Sequence, residues 1–176
     1  MDLDVQFFTG KYNKTNDTFT WQQLEQTIGG DEVKYRKCTG LESKGKIKNV
    51  YTETYADASV TRVDFPNALT FEPTEVVLDI VVKRGATANT TAFDTLVNYF
   101  HNGLTVFWDT QRKRCAVLLL TNAVEVKEDT YLGMNYLECE FKFQNIAGKC
   151  DIINDTLPSH ANVEANAKPI ILAALS

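Results

Sequence analysis

The sequence predicts a mainly β fold of the α+β class: an antiparallel β-sandwich or half-barrel with one flanking α-helix. Apolar residues occupy every second position from Val76 to Val82 and again from Leu137 to Phe143, the period of a strand with one buried face. One segment, FDTLVNYF, instead repeats its apolar residues at helical spacing. Together these patterns indicate a sheet covered by a helix.

Length and composition are those of one domain with a substantial core. The chain has 176 residues, of which 44% are hydrophobic, so the core needs no disulfide or metal. We expect the β-sandwich domain to span residues 1–148 and residues 149–176 to form an extended C-terminal tail, because the periodic pattern stops after Gly148. The net charge of −5 argues against a protein that wraps nucleic acid, since such proteins neutralise phosphates with many basic residues.

The N-terminal part begins with a predicted strand and a predicted short helix. LDVQFF alternates and predicts the strand, and the polar TGKYNKTND that follows predicts a loop. The helix is predicted in TWQQLEQTIGG, where Thr20 and Gln23 fit a capping box and Gly29 fits a C-cap. Trp21 lies on the apolar side of this predicted helix.

A basic stretch runs from Val33 to Lys48. It holds six basic residues and one acid, Glu42, for a net charge of +5, and its glycines predict a long mobile loop or a hairpin. Two interpretations stay open: a solvated loop, or a basic arm that reaches an acidic partner. The basic residues are Lys34, Arg36, Lys37, Lys44, Lys46 and Lys48.

Two strands are predicted next, around a turn at Ala56-Asp57 in VYTETYADASVTRVDF, and they lead into the strong strand of Val76–Val82. The second face of that strand is only half polar, with Val77, Asp79, Val81 and Lys83. This face therefore needs a cover, which could be a second sheet, a helix or another copy of the chain.

The best helix lies in TTAFDTLVNYFHNG. Thr91 can serve as its N-cap, Asn102-Gly103 ends it, and His101 in the last turn fits a partner of the helix dipole better than a catalytic base. One buried stripe is predicted for the core residues Phe93, Leu96, Val97 and Phe100.

A hairpin and a further strand complete the predicted sheet. Leu104–Asp109 is expected to pair with Cys115–Leu120, leaving the basic tip Arg112-Lys113-Arg114 as a solvated turn. The strand within Tyr136–Phe143 has one buried face and one wet face.

The sequence contains no motif of a known catalytic chemistry. It lacks a phosphate-binding glycine loop, a nucleophile elbow and a zinc-protease helix, and the four cysteines lack metal-ligand spacing. Asp64 with Glu72, or Glu138 with Glu140, could form acid pairs, but alternating acids on a strand are typical of a wet surface. We therefore expect no enzyme activity, no cofactor and no metal.

Several short motifs follow one another along the chain in a characteristic order. They are Asp64-Phe65-Pro66, FEPTEVVLDIVVKRG, the helix FDTLVNYF and the final strand ECEFKFQN, preceded by Thr39–Ser43. This order resembles the tail-tube superfamily of bacteriophages, which includes major tail tube proteins, distal tail proteins and the tube proteins of contractile injection systems. The resemblance covers residues 3–145, and the Trp21 segment and the tail after Gly148 depart from it.

The resemblance implies a virion protein that assembles with itself. Its subunits are expected to join edge to edge into a hexameric ring, and the rings to stack into a tail tube through which DNA passes as cargo. The implied partners are other copies of the chain and other tail and baseplate proteins. With no signal peptide, and with IILAAL too short for a membrane helix, we expect synthesis in the host cytoplasm and no membrane insertion.

The distribution of charge suggests how such rings stack. Residues 122–142 hold five acids and two lysines, for a net charge of −3. We hypothesise that the basic stretch Val33–Lys48 of one ring contacts an acidic counter-surface, Glu125, Glu128 and Asp129, of the next. A contact of this kind, between two different surfaces, builds a tube when it does not close into a ring. An acidic channel wall also repels transiting DNA.

Other interpretations stay open. Within phage tails, the chain could be a distal tail or baseplate hub protein, or a tail terminator. Outside them, a β-sandwich module that binds carbohydrate or peptide would use exposed aromatic residues, and Tyr12, Tyr51, Tyr55 and Tyr131 are available. Such a module is expected to be a monomer, whereas a tail protein forms rings.

Overall fold

A computed structural model of the chain describes residues 7–23, 33–48, 50–54, 59–63, 70–84, 91–131, 134–154 and 161–176. The strands in these ranges are β1 Phe7–Asn13, β2 Thr18–Gln23, β3 Val33–Thr39, β4 Val50–Thr54, β5 Ser59–Val63, β6 Thr74–Arg84, β7 Thr105–Asp109, β8 Arg114–Tyr131, β9 Met134–Asn145 and β10 Asp151–Ile152. The helices are α1 Thr91–His101 and α2 Ala161–Leu175.

Most of the strands form one antiparallel sheet. Its order is β2-β1-β7-β8-β9-β6-β3, and the short β10 pairs with the start of β8. β4 and β5 pair with each other in a separate sheet, as the sequence predicts. The strands β2 and β3 are therefore the two ends of the main sheet. The mainly β, α+β fold class is confirmed.

The first core lies between α1 and one face of the sheet. Leu96 and Phe100 are fully buried there, and Phe93 and Val97 are partly buried against the same cluster. The ring of Phe100 packs edge-on against Phe141, with 5.2 Å between centroids. Because a buried apolar side chain of this size contributes roughly 1.5–3 kcal/mol, this stripe can hold the helix on the sheet.

The period-two patterns of β6 and β9 form the sheet side of this core. The two strands pair along the whole length of β6, from Thr74 opposite Asn145 to Arg84 opposite Asn135. Their buried residues lie opposite one another in register and are Val76, Leu78, Ile80, Val82, Leu137, Cys139, Phe141 and Phe143.

A second core covers the opposite face of the sheet near β7. Phe107 belongs to the first core, whereas its neighbours Val106 and Trp108 belong to the second, so β7 is buried on both faces. The cover of the second face is α2, whose buried residues are Val163, Ala167 and Ile171.

The prediction of an extended C-terminal tail is wrong for Ala161–Leu175, which form α2. Val163, Ala167 and Ile171 recur at intervals of four, the spacing of one helical face, and this face packs beside Trp108. Pro169 lies inside the helix, and it is the residue that most obscures the helical pattern in the sequence. The fold thus has a second helix that the sequence did not predict.

The prediction of a helix in TWQQLEQTIGG is also wrong for its first four residues, 20–23, which belong to β2; residues 24–30 lie outside the described part. β2 pairs with β1, which places Trp21 opposite Gly10. A Cβ atom on Gly10 would lie 2.6 Å from the Trp21 ring, so the glycine makes room for it. The loop predicted for TGKYNKTND is shorter in the structure, because β1 continues to Asn13.

Candidate assembly surfaces

The structure divides the predicted basic loop into two parts, and the first part is a strand. Lys34, Arg36 and Lys37 lie on β3, which ends the sheet beside β6 and has a bulge between Tyr35 and Lys37. The prediction of one long mobile loop or hairpin is therefore wrong for Val33–Thr39, which form a strand paired with the distant β6. Arg36 already has an acidic partner in the same chain, because its Nη1 lies 2.7 Å from Oε1 of Glu138.

The second part, Lys44–Lys48, is an extended segment that we call the lysine ledge. Its backbone is hydrogen-bonded to two other segments: the Gly45 N–H donates to the Gly148 carbonyl at 2.7 Å, and the Glu72 N–H donates to the Lys46 carbonyl at 2.8 Å. The Lys48 N–H donates to the Thr70 carbonyl at 3.0 Å. Because these bonds hold the backbone, the ledge presents the exposed Lys44, Lys46 and Lys48 from a fixed support.

The basic turn between β7 and β8 lies next to the chain that leads into the ledge. Arg112 donates from Nη1 to the Cys38 carbonyl at 3.3 Å, and Nε of Arg114 lies 3.5 Å from a carboxylate oxygen of Glu42. These two basic segments are separate in the sequence, and the fold brings them together. No local pattern could have joined them, because Arg112 and Cys38 are 74 residues apart.

The turn is itself held by a buried carboxylate. Asp109, the last residue of β7, has no exposed surface, and its Oδ1 accepts the backbone N–H of Arg112 at 2.9 Å. Its Oδ2 lies 3.7 Å from Nε of the same arginine. Asp109 therefore fixes both the turn and the side chain that reaches β3. Sequence reasoning missed this residue because an acid before a turn is common on surfaces.

Burial favours the neutral forms of two side chains near the turn, the Cys38 thiol and the Tyr35 phenol. Burial raises the pKa of Cys38 to about 12, and burial likewise raises the pKa of Tyr35 to about 12. Cys38 is thus a core thiol rather than a reactive one.

The predicted acidic residues lie on the far half of β8. The backbone register places Glu125 opposite Cys139, Glu128 opposite Leu137 and Asp129 opposite Tyr136. Leu137 in turn pairs with Val82, near the end of β6, whereas the ledge lies beside Phe71 and Glu72, just before β6 begins. At about 3.3 Å per residue, the ledge and these acids are more than about 25 Å apart along the sheet.

The carboxylates considered for catalysis do not form an isolated pair. Glu138 is bound to Arg36, and Oε1 of Glu140 lies 3.3 Å from Nζ of Lys142. Glu72 is exposed, and Asp64 lies outside the described residues. Within the described part, no three metal-binding side chains cluster as a metal site requires. Among the same residues, no helix is long and apolar enough to cross a membrane.

The tyrosines considered for a binding module are dispersed over the fold. Tyr12 packs on Phe19 with 5.1 Å between centroids, and its hydroxyl donates to Asp17 at 2.5 Å. Tyr51 lies on β4 and Tyr131 ends β8, while Tyr55 lies outside the described residues.

The fold is similar to that of phage baseplate proteins. A chain of the phage P2 baseplate in its activated conformation with Ca matches with a TM-score of 0.51 and 11% identity, over 81% of this chain and 44% of that chain. The same baseplate with Sr gives 0.47 at 11% identity, covering 77% and 43%. The phage SPP1 Dit protein, described as a paradigm of the hub adsorption apparatus in phages infecting Gram-positive bacteria, gives 0.40 at 15% identity, covering 77% and 49%.

This chain therefore spans less than half the length of each of these three structures. No protein-family model matches the sequence, and neither does any curated protein. The similarity agrees, at the level of fold, with the phage tail resemblance of the sequence.

Proposed function

We propose that the chain is a structural, non-enzymatic subunit of a phage tail that assembles with copies of itself into rings. The observation that carries this proposal is the fold match to a phage baseplate chain over 81% of the present chain. The virion tail is then its location, and other tail and baseplate proteins are its partners.

The two strands that end the sheet in the described part of the chain support a ring. β2 and β3 terminate the strand order, and a sheet edge offers backbone donors and acceptors to a strand of another chain. If β3 of one subunit lies beside β2 of the next, every subunit makes the same contact and the series can close. Six subunits, as the tail-tube resemblance implies, leave a central channel for DNA.

The position of the ring within the tail decides between two versions of this proposal. A tube subunit forms many rings that stack, whereas a distal tail or hub protein forms one or two rings at the baseplate. The fold match is to a baseplate chain, which favours the hub position, and the separation of basic and acidic ends favours stacking. Both versions share the ring.

Negative-stain electron microscopy and native mass spectrometry of the purified chain test the ring. We expect hexameric rings with a central hole, and stacks of rings identify the tube version. A strict monomer at high concentration, both alone and mixed with the other tail proteins of its phage, would contradict the proposal and favour a monomeric binding module.

A further inference from the structure

We propose that the lysine ledge and the β7–β8 turn form one composite cationic surface, and that its partner is the acidic β8–β9 hairpin of a second copy of the chain. This inference rests on the proposed ring-forming function and deepens it. It adds to the predicted basic stretch two residues from outside it, Lys113 in the turn and Lys149 beside Gly148.

The composite surface is built by backbone contacts among distant segments. Gly45 on the ledge is bonded to Gly148, which precedes Lys149, and the Ile153 N–H donates to the Lys113 carbonyl at 3.0 Å. Arg112, bonded to Asp109 and Cys38, ties the turn to the end of β3. The relative positions of the lysines are therefore set by the fold.

The lysines of this surface are available to a partner. All five are exposed, and none of them forms an ion pair with another described residue; the nearby carboxylate of Asp151 interacts electrostatically with Lys149. The five lysines are Lys44, Lys46, Lys48, Lys113 and Lys149. Arg36, by contrast, is already paired with Glu138.

The surface suits an acidic protein better than nucleic acid. Three acids, Glu42, Glu72 and Glu75, lie exposed among or beside its lysines, and the whole chain has a net charge of −5. A continuous row of phosphates would meet these carboxylates and be repelled. A protein surface can instead place its acids opposite the lysines alone.

The chain itself carries acidic residues at the other end of the sheet, on the backbone of β8. Glu125, Glu128 and Asp129 lie on the half of β8 that pairs with the start of β9, whereas the ledge adjoins the end of β9 and the start of β6. When two copies align head to tail, the acidic end of one meets the basic end of the other. This contact joins different surfaces, so a free basic end and a free acidic end remain after each addition, and rings can continue to stack.

Charge-reversal variants test this pairing. The first replaces three residues of the basic end whose side chains form no hydrogen bond or ion pair with another described residue, Lys46→Glu, Lys113→Glu and Lys149→Glu; their structural contacts are made by backbone carbonyls, which the substitutions keep. The second replaces the acidic end, Glu125→Lys, Glu128→Lys and Asp129→Lys. We expect each variant alone to form single rings, with ring–ring association weakened about tenfold or more in sedimentation velocity. Mixing the two variants should restore stacks, because each basic end then faces an acidic one.

A matched pair of single substitutions distinguishes an effect of the composite surface from an effect of net charge. Lys113→Glu should weaken stacking, whereas Lys14→Glu, on the exposed β1–β2 turn, should not. Wild-type rings that never stack, reversed variants that stack like wild type, or a mixture that fails to recover would each overturn the inference while leaving ring formation intact. Binding of labelled duplex DNA that is lost in the basic-end variant, with stacking unchanged, would also overturn it.

Discussion

The backbone of the lysine ledge reaches the start of β6 only because Gly45 and Gly148 carry no side chain. At either position, a Cβ atom would overlap the carbonyl oxygen of Glu72. Gly148 also has a φ of 64°, in the left-handed region that disfavours other residues. The presentation of three lysines therefore depends on two residues without charge.

Gly148→Ala should lower the free energy of unfolding by about 2–3 kcal/mol, since it adds a steric overlap to left-handed strain. The control is Gly103→Ala. Gly103 has a φ of 78°, but no atom lies within 4 Å of its Cβ position, so only the strain of about 1 kcal/mol applies. Urea unfolding measures the free energy of unfolding of both variants. Equal losses in the two variants would contradict the close approach of the Glu72 carbonyl to Gly148.

Lys11 caps the end of α1 from the neighbouring strand β1. Its Nζ donates to the Asn102 carbonyl at 3.0 Å and to Oγ1 of Thr105 at 2.6 Å, and it lies 4.8 Å from the centre of the Tyr99 ring. Burial lowers the pKa of Lys11 from 10.5 to about 8. Protonation of this amine therefore makes the stability of the folded chain depend on pH.

The sign of this pH effect follows from the lowered pKa. Between pH 8 and 10.5 the unfolded chain holds the Lys11 proton more tightly than the folded chain, so the contribution of Lys11 to stability rises with pH across this window. We expect wild type to gain stability relative to Lys11→Met over the same range in thermal melts. Lys14→Met is the control for loss of one lysine, and a pH-independent difference for Lys11→Met would contradict the assignment.

At the scale of elements, strands with a strict period and a matching partner could be predicted, and elements set by distant contacts could not. β6 and β9 carry their buried faces in their own sequences, and so does α1. A helix was predicted where β2 lies because Thr20 and Gln23 have the spacing of a capping box. The segment is a strand because it pairs with β1. In α2, Pro169 and the small Ala167 concealed a helical stripe whose partner is Trp108, far away in sequence.

The packing of α2 gives a test of the predicted division at residue 148. Ile171 is 1% exposed in the second core, so Ile171→Ala should destabilise the sheet by about 2–4 kcal/mol. Leu175→Ala, at a position 48% exposed, should change stability by less than about 0.5 kcal/mol. The change is measured by Trp fluorescence during urea unfolding. An unaltered transition for Ile171→Ala would mean that residues 149–176 are not part of the main folding unit.

At the scale of the molecule, the distribution of charge along the sequence did not predict which basic residues share one surface. The sequence identified a basic stretch and an acidic segment, but it predicted one loop or hairpin for all six basic residues. The structure places Lys34, Arg36 and Lys37 on an edge strand and brings Lys113 and Lys149 toward the ledge. Such a surface cannot be read from spacing, because the contacts that build it join segments before β6, after β7 and after β9.

Two kinds of contact with different responses to salt are expected in the assembly. Ring closure by strand edges uses backbone hydrogen bonds and apolar packing, which salt screens little. Stacking through exposed lysines and acids is electrostatic, and the screening length falls from about 30 Å at 0.01 M to about 10 Å at 0.1 M and about 3 Å at 1 M. Raising NaCl should therefore separate stacks into single rings before rings separate into monomers.

Light scattering and electron microscopy across a salt series measure this order of events. The basic-end charge-reversal variant provides the internal control, because it should already be unstacked at low salt and show only the second transition. Rings and stacks that are lost together in wild type would mean that one surface serves both contacts. Stacks that persist at 1 M salt would mean that apolar contacts, rather than the ledge and the hairpin, join the rings.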